Sequence, residues 1–377
     1  MKVFIISGAR PQFIKLSPII QDMLEEPKMD FYHLHTGQHF DENMSSIFFQ
    51  ELSLPPPDVN LNIHSQTHAQ LVGNMMIKIE EKLKEEDPDA VLVPGDTDST
   101  LAGALAASKL QYPVIHLESG LRSYDFRMPE EINRKLTDHI SRMLITTSMT
   151  ASENLLKEGI NKRWIFETGD TMVDAILRNV KKAKKQSSIL KKLGLKSKEY
   201  FLLTLHRKEN VDNKGRLKTI LETLNEVEET IVYPVHPRTK NRIKDYNLGD
   251  LIENENIITI DPTGYLDFIS LEVNSMSILT DSGGIQKEAL TLNVPCITLR
   301  DNTEWIETLE IGANQLVGAE KERIKSAIKQ IKDNLDHYKN INWENPYGDG
   351  KSSTKIVNEI IKRYEEHELE IETNIMI

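Results

Sequence analysis

The strongest constraint on this chain is a rhythm that starts twice. Short runs rich in aliphatic and β-branched residues alternate with longer runs whose apolar residues recur at helical spacing. "KVFIIS" (2–7), "FYHLHT" (31–36), "AVLVPG" (90–95), "PVIHLE" (113–118) and "MLITTS" (143–148) read as strands. "PQFIKLSPIIQDMLEE" and "HAQLVGNMMIKIEEKLKEE", lying between them, read as helices. A second set of strands then opens: "YFLLTL" (200–205), "TIVYPV" (230–235), "IITID" (257–261), "SMSILT" (275–280) and "PCITLR" (295–300). Strands joined through helices pair in parallel, and helices cover both faces of the sheet. The expectation is an α/β protein of two doubly wound domains. Its length agrees, because 377 residues exceed what one core usually supports. The boundary falls near 168–195, giving an N-terminal domain over 1–168 and a second domain over 169–351. The late amphipathic stretch "STKIVNEIIKRYEEHE", within 352–377, can pack back across either domain and is assigned to the first.

Charge and composition exclude several function classes. A formal net charge of −12 argues against a nucleic-acid surface, which would need a basic stripe. The basic run "KKAKKQSSILKKLGLKSK" (181–198) has polar neighbours and reads as a solvated helix face or interdomain connector. No apolar run approaches the roughly 20 residues that cross a bilayer, so no membrane partner is expected. The N-terminus reads as a first strand and not as a signal peptide. The single cysteine, Cys296, lies in apolar "VPCITL" and offers neither a disulfide nor a metal framework. These features fit the cytoplasm.

In doubly wound sheets, ligands bind beyond the carboxyl ends of the strands. The polar clusters of this chain follow its strands: Ser7–Arg10, Thr36–His39, Gly95–Asp98, Glu118–Arg122, His206–Glu209, His236–Arg238 and Asp281–Gly284. With two facing domains they can converge on one cleft, which favours an enzyme. "SGARPQFIK" lacks the glycine spacing of a dinucleotide fingerprint, so no nicotinamide or flavin is indicated. Arg10 and Lys15 suit an anion instead, or are surface cations on a capped helix. "PGDTDST" sets Asp96 at a strand end, with Glu118 and Glu130 on the next strand and helix. Two nearby carboxylates can have their proton affinities driven apart, which equips them for acid/base work. Glu130 and Glu131 can equally serve the helix N-terminus. His206 and His236, each beside an arginine, point to anion binding. No histidine pair has metal-ligand spacing with a third partner, so no metal is expected. Phe268 suits stacking on a planar base or plain core. "LTDSGGIQKEAL" (279–290) puts Ser282, Gly283 and Gly284 where a helix starts, a ready phosphate site or a tight turn capped by Ser282.

Read in order, "GARPQFIKLSP", "HTGQHFDENM", "PGDTDST", "HLESGLRS", "MPEEINR", "TLHRKEN" and "LTDSGGIQKEA…RDNTEW" resemble the non-hydrolysing UDP-N-acetylglucosamine 2-epimerases. The likeness runs in register from residue 1 to about residue 320. It implies the glycosyltransferase-B type fold, two Rossmann-like domains facing a central cleft. It implies interconversion of UDP-N-acetylglucosamine and UDP-N-acetylmannosamine, without a cofactor, by elimination and re-addition of UDP through a 2-acetamidoglucal. Asp96, Glu118, Glu130 and His206 would take the acid/base and electrostatic roles. Arg10, Lys15, Ser282, Gly283 and Gly284 would hold the diphosphate, Glu288 the ribose and Phe268 the uracil. A homodimer is implied, as is a second UDP-sugar site with Gln38, His39 and His236 as contributors. Two departures, Gln12 and the Trp305-Ile306 of "NTEWIET", resemble the branch that epimerises a UDP-2,3-diacetamido-glucuronic acid. The alternative reading is a UDP-sugar-dependent glycosyltransferase of the same fold. A hydrolysing epimerase and a nucleotide-sugar sensor stand behind it.

Overall fold

In the computed structural model the chain forms two compact units, residues 1–175 with 346–377 and residues 176–345. The structure describes residues 1–37, 49, 51–65 and 67–370, and of Arg10 only the backbone. Gln38 and His39 therefore lie outside the described residues. The division between the units falls inside the helix Thr171–Gln186.

The first unit is built on a seven-stranded sheet in the order β3-β2-β1-β4-β5-β6-β7. Its strands are β1 (Lys2–Ser7), β2 (Asp30–His35), β3 (Val59–Asn60), β4 (Ala90–Pro94), β5 (Val114–Ser119), β6 (Met143–Thr146) and β7 (Ile165–Glu167). The second has six strands in the order β10-β9-β8-β11-β12-β13. These are β8 (Phe201–Thr204), β9 (Ile231–Pro234), β10 (Ile257–Ile260), β11 (Ser277–Thr280), β12 (Cys296–Thr298) and β13 (Asn314–Leu316). Every ladder is parallel. Two doubly wound Rossmann-like sheets are thus what the alternation predicts. β3, β7 and β13 were not legible in the sequence, because two or three residues are too few to show a period.

The central strands have helices on both faces and are buried throughout: Val3–Ile6 and Val91–Val93 have no exposure. On one face the helix Asp98–Lys109 presents Ala102, Gly103, Ala106 and Ala107, and those small residues let its backbone close on β1 and β4. A Cβ at Gly103 would stand 2.6 Å from the Ile6 side chain. Strand order reverses between β1 and β4 and between β8 and β11, so the loops leaving those strands diverge and open a crevice in each sheet.

The C-terminal helix Ser352–Glu365 belongs to the first unit and packs on the helix Arg10–Glu25. Its N-terminus is capped by a buried carboxylate, because Asp174 accepts Ser352 N–H at 3.2 Å and Ser353 N–H at 2.8 Å. Asp22 accepts the hydroxyls of Ser353 and Thr354 at 2.7 and 2.9 Å. Gly169, at φ +89, lets the chain pass the Tyr347 carbonyl, where a Cβ would come within 2.6 Å.

His33, in the middle of β2, is buried with Nε2 2.8 Å from the Ser7 hydroxyl. Burial, helped by neighbouring His35, pushes its imidazole from 6.5 down to about 3. Between those values the unfolded chain binds a proton that the fold refuses. Stability therefore falls as pH falls through that window, by about 1.4 kcal/mol per unit from this group. His33→Gln should flatten the pH dependence of unfolding by roughly that slope, read from urea melts at several pH values below 6.5. An unchanged slope would show that His33 titrates alike in both states.

Candidate active site

In the first unit the site grows from the ends of β1, β4 and β5. The turn after β1 is tied to the turn after β4 by Gln12, which is buried. Its Oε1 accepts Gly8 N–H and Ala9 N–H at 2.7 and 3.0 Å, and its Nε2 donates to the Pro94 carbonyl at 2.7 Å. A carboxylate in its place has no hydrogen for that carbonyl, so the amide suits this position. Asp96 follows β4 and receives Arg134 Nη2 at 2.6 Å. Glu118 stands near the end of β5 in a left-handed conformation, φ +68, where the ladder to β6 shifts register between Leu117 and Ser119. Its carboxylate is hydrogen-bonded to the Lys15 ammonium. Gly95 borders this pair in a left-handed conformation, φ +67, which suits glycine; a Cβ there would only touch Glu118 Oε2 at 3.6 Å. Asp96, Glu118, Lys15 and Arg134 are thereby assembled around one strand-end turn.

The two glutamates at the start of the helix Pro129–Ile140 separate. Glu131 is buried and accepts Ser123 N–H at 2.8 Å, Tyr124 N–H at 3.2 Å and Arg134 Nη1 at 3.1 Å, so it braces the loop before its helix. Glu130 is exposed in the first turn, with no hydrogen-bond or ion-pair partner among the described residues. Arg134 was quoted in the sequence only as part of "MPEEINR". Its bridge between Asp96 and Glu131 is a tertiary fact that spacing does not reveal.

In the second unit the site is organised by Asp281, a fully buried carboxylate after β11. It accepts His206 N–H at 3.1 Å, Arg207 N–H at 3.0 Å and Asn210 Nδ2 at 3.3 Å, pinning the turn after β8 to the turn after β11. The His206 ring lies 3.5 Å from the same carboxylate through Nδ1, and 5.8 Å, centre to centre, from His236. His236 caps the helix Pro237–Asp245 by accepting Arg238 N–H at 3.2 Å. Arg238 and Arg242 both pair with Asp212, so that guanidinium is already engaged within the fold and not held open beside His236.

The helix Gly283–Thr291 begins at the end of β11. Ser282 occupies the cap position, but its hydroxyl makes no cap bond, contrary to the tight-turn reading; its own N–H donates to Thr280 Oγ1 at 2.9 Å. The first-turn N–H groups are therefore left for a ligand or solvent. A Cβ on Gly283 would collide with the Glu304 carboxylate and come 3.1 Å from Trp305 Nε1. Trp305 is itself buried, with the Lys287 ammonium 3.9 Å from its ring centre. Glu288 is buried on the same helix, next to fully buried Glu272. Burial, reinforced by Glu288, lifts the Glu272 carboxyl well above the usual range. Phe268 is half-buried against the core around Tyr200, Leu202 and Ile278.

Against known proteins, residues 21–361 match the family model described as UDP-N-acetylglucosamine 2-epimerase. The chain belongs to that family. It is 52% identical over 364 residues to the UDP-N-acetylglucosamine 2-epimerase of Methanocaldococcus jannaschii, covering 95% of this chain and 98% of the other. The crystal structure of that organism's enzyme in complex with UDP-GlcNAc and UDP superposes with a TM-score of 0.86, covering 96% of this chain and all of that one. The Neisseria meningitidis enzyme bound to UDP-GlcNAc is 33% identical, with a TM-score of 0.87 over 96% of this chain and all of its own. A UDP-2,3-diacetamido-2,3-dideoxy-D-glucuronate 2-epimerase from Pseudomonas aeruginosa is 45% identical over 369 residues, 96% of this chain and 100% of its own. Family membership favours epimerase chemistry over the glycosyltransferase alternative.

In the second unit His206, like His236 beside it, has a lowered proton affinity. Burial lowers its imidazole below 6.5; Asp281 opposes this, while Arg207, His236 and Arg238 reinforce it. These surroundings favour the neutral ring over the imidazolium. NMR titration of the ring resonances should give His206 a midpoint below 6.5, and Arg207→Gln should move it upward, since Arg207 leads the charges that disfavour the imidazolium. A midpoint at or above 6.5 in the unaltered protein would overturn this assignment.

Proposed function

We propose that the protein interconverts UDP-N-acetylglucosamine and UDP-N-acetylmannosamine. The observation that carries this reading is the pairing of Glu118 with Lys15 beside Asp96 and Arg134 at one strand-end turn, in a chain 52% identical to an enzyme crystallised with UDP-GlcNAc and UDP. A carboxylate takes the C2 proton as the C1–O bond breaks, and its electron pair leaves with the UDP oxygen. A C1–C2 double bond forms, giving a 2-acetamidoglucal. The reverse addition delivers a proton to the other face of C2 as UDP re-attaches at C1. Asp96, Glu118, Glu130 and His206 share these transfers. Arg10, Lys15 and Arg134 supply the positive charge that offsets the departing diphosphate.

The nucleotide belongs to the second set of residues. The diphosphate lies at Ser282, Gly283 and Gly284, the ribose hydroxyls at Glu288, and uracil at Phe268. A carboxylate accepts hydrogen bonds from both hydroxyls of a diol, which suits Glu288 to the ribose. His236, with Gln38 and His39, is the candidate for a second UDP-sugar site. A second substrate, a UDP-2,3-diacetamido-glucuronic acid, is favoured by Trp305 and Gln12 and by the 45% identical Pseudomonas relative; presenting each sugar in the NMR assay below separates the two.

A side chain at position 283 must displace the Glu304 carboxylate and press on Trp305, so the fold of the variant is checked by circular dichroism before binding is read. Gly283→Val should raise the dissociation constant for UDP about tenfold or more, roughly 1.4 kcal/mol. Unaltered UDP binding in the folded variant would leave the turn a purely structural feature.

The chemistry has its own signature. Proton NMR of the purified protein with UDP-N-acetylglucosamine in D2O should show deuterium entering C2 of the product. Asp96→Asn, Glu118→Gln and Glu130→Gln should each lower turnover by about a hundredfold or more while UDP still binds. Product without deuterium at C2, or no epimer at all, would remove the elimination route.

A further inference from the structure

Asp138, on the helix Pro129–Ile140, is buried and holds three residues of one segment at once. Its Oδ1 lies 2.7 Å from His116 Nδ1, and its Oδ2 receives Gly120 N–H at 3.2 Å and Arg122 Nη1 at 2.7 Å. His116, also fully buried, reaches onward through Nε2 to the Gly95 carbonyl at 2.7 Å. A carbonyl oxygen only accepts, so Nε2 carries a hydrogen there, and Nδ1 faces Asp138 Oδ1. Arg122 continues outward to Glu158 at 2.8 and 2.6 Å, and Lys135 joins Glu158 at 3.1 Å.

The network's place on the chain gives it a purpose beyond packing. Residues 116, 120 and 122 straddle Glu118, whose left-handed backbone costs of order 1 kcal/mol or more and persists only where its surroundings over-determine it. The other end of the network grips Gly95, the residue before Asp96. A buried ion network is poor evidence of stabilisation in itself, since apolar residues of equal volume often do as well. Here, however, its contacts at Gly120 and at Gly95 lie beside Glu118 and Asp96, two carboxylates of the site.

We propose that Asp138, acting through His116, is a positioning residue that holds Glu118 and Asp96 in register for the reaction. This rests on the epimerase reading above. It makes Asp138 and His116 matter to turnover although neither touches substrate.

The test uses the full-length protein and two substitutions, read by kcat, by UDP affinity and by amide hydrogen exchange. Asp138→Asn keeps an acceptor for Gly120 but loses the charge; it should lower kcat about a hundredfold, as expected for misplaced reacting groups, with UDP affinity unchanged. Exchange should quicken about tenfold at Gly95 and Gly120 and stay unaltered elsewhere in the unit. His116→Gln, which keeps a donor for the Gly95 carbonyl, should give a smaller loss in the same direction. Unchanged kcat in folded Asp138→Asn overturns the proposal. So does a loss matched by the fraction that no longer binds UDP, with exchange quickened throughout, because that describes mere unfolding. If Asp138→Asn does not fold, His116→Gln decides by the same measurements. If the unaltered protein forms no epimer, the functional reading falls, and exchange at Gly95 and Gly120 alone then judges the clamp.

Discussion

Parallel pairing with cover on both faces is the constraint from which the rest of this protein follows. A strand such as Val3–Ile6 has no exposed surface, so it can carry no chemistry along its length. Groups that must meet a ligand stand at the carboxyl ends, where the backbone leaves the sheet for a helix. The reversal of order at β1/β4 and β8/β11 then decides which ends have room for a ligand. Asp96 and Glu118 stand at one such place, and His206 and Gly283 at the other.

Holding those ends still falls to buried carboxylates. Asp138, Asp174 and Asp281 are each almost fully buried, and each accepts backbone N–H groups from a segment distant in sequence. Hydrogen bonds to a charged acceptor contribute about 1.5–3 kcal/mol, more than neutral ones, and they fix direction as well as distance. Asp174 fastens the C-terminal helix, Asp281 fastens the turn carrying His206, and Asp138 fastens the bulge carrying Glu118. An isolated buried charge would be costly, and all three avoid that by gathering several donors.

The turn at Ser282–Gly284 follows a different logic. Gly283 is small because the Glu304 carboxylate and the Trp305 ring already press on it. Trp305 in turn lies against the buried ammonium of Lys287. These residues pack as a set.

The sequence by itself determined the architecture and which residues stand at the strand ends. Apolar runs of four to six residues, alternating with helical periodicity, specify parallel strands, because the period and its crossovers are local properties of the chain. Strand ends could likewise be read off, and with them Asp96, Glu118, His206 and the Ser282–Gly284 turn. Partnership was not legible, since it joins residues far apart: Lys15 with Glu118, Arg134 with Asp96, Arg238 with Asp212. Only the tertiary structure split Glu130 from Glu131, placing one in solvent and the other under a loop, because helix phase relative to a packed neighbour has no signature in two adjacent identical residues. It alone revealed the left-handed Glu118, whose conformation is imposed by contacts around it and not by any preference of glutamate for that region.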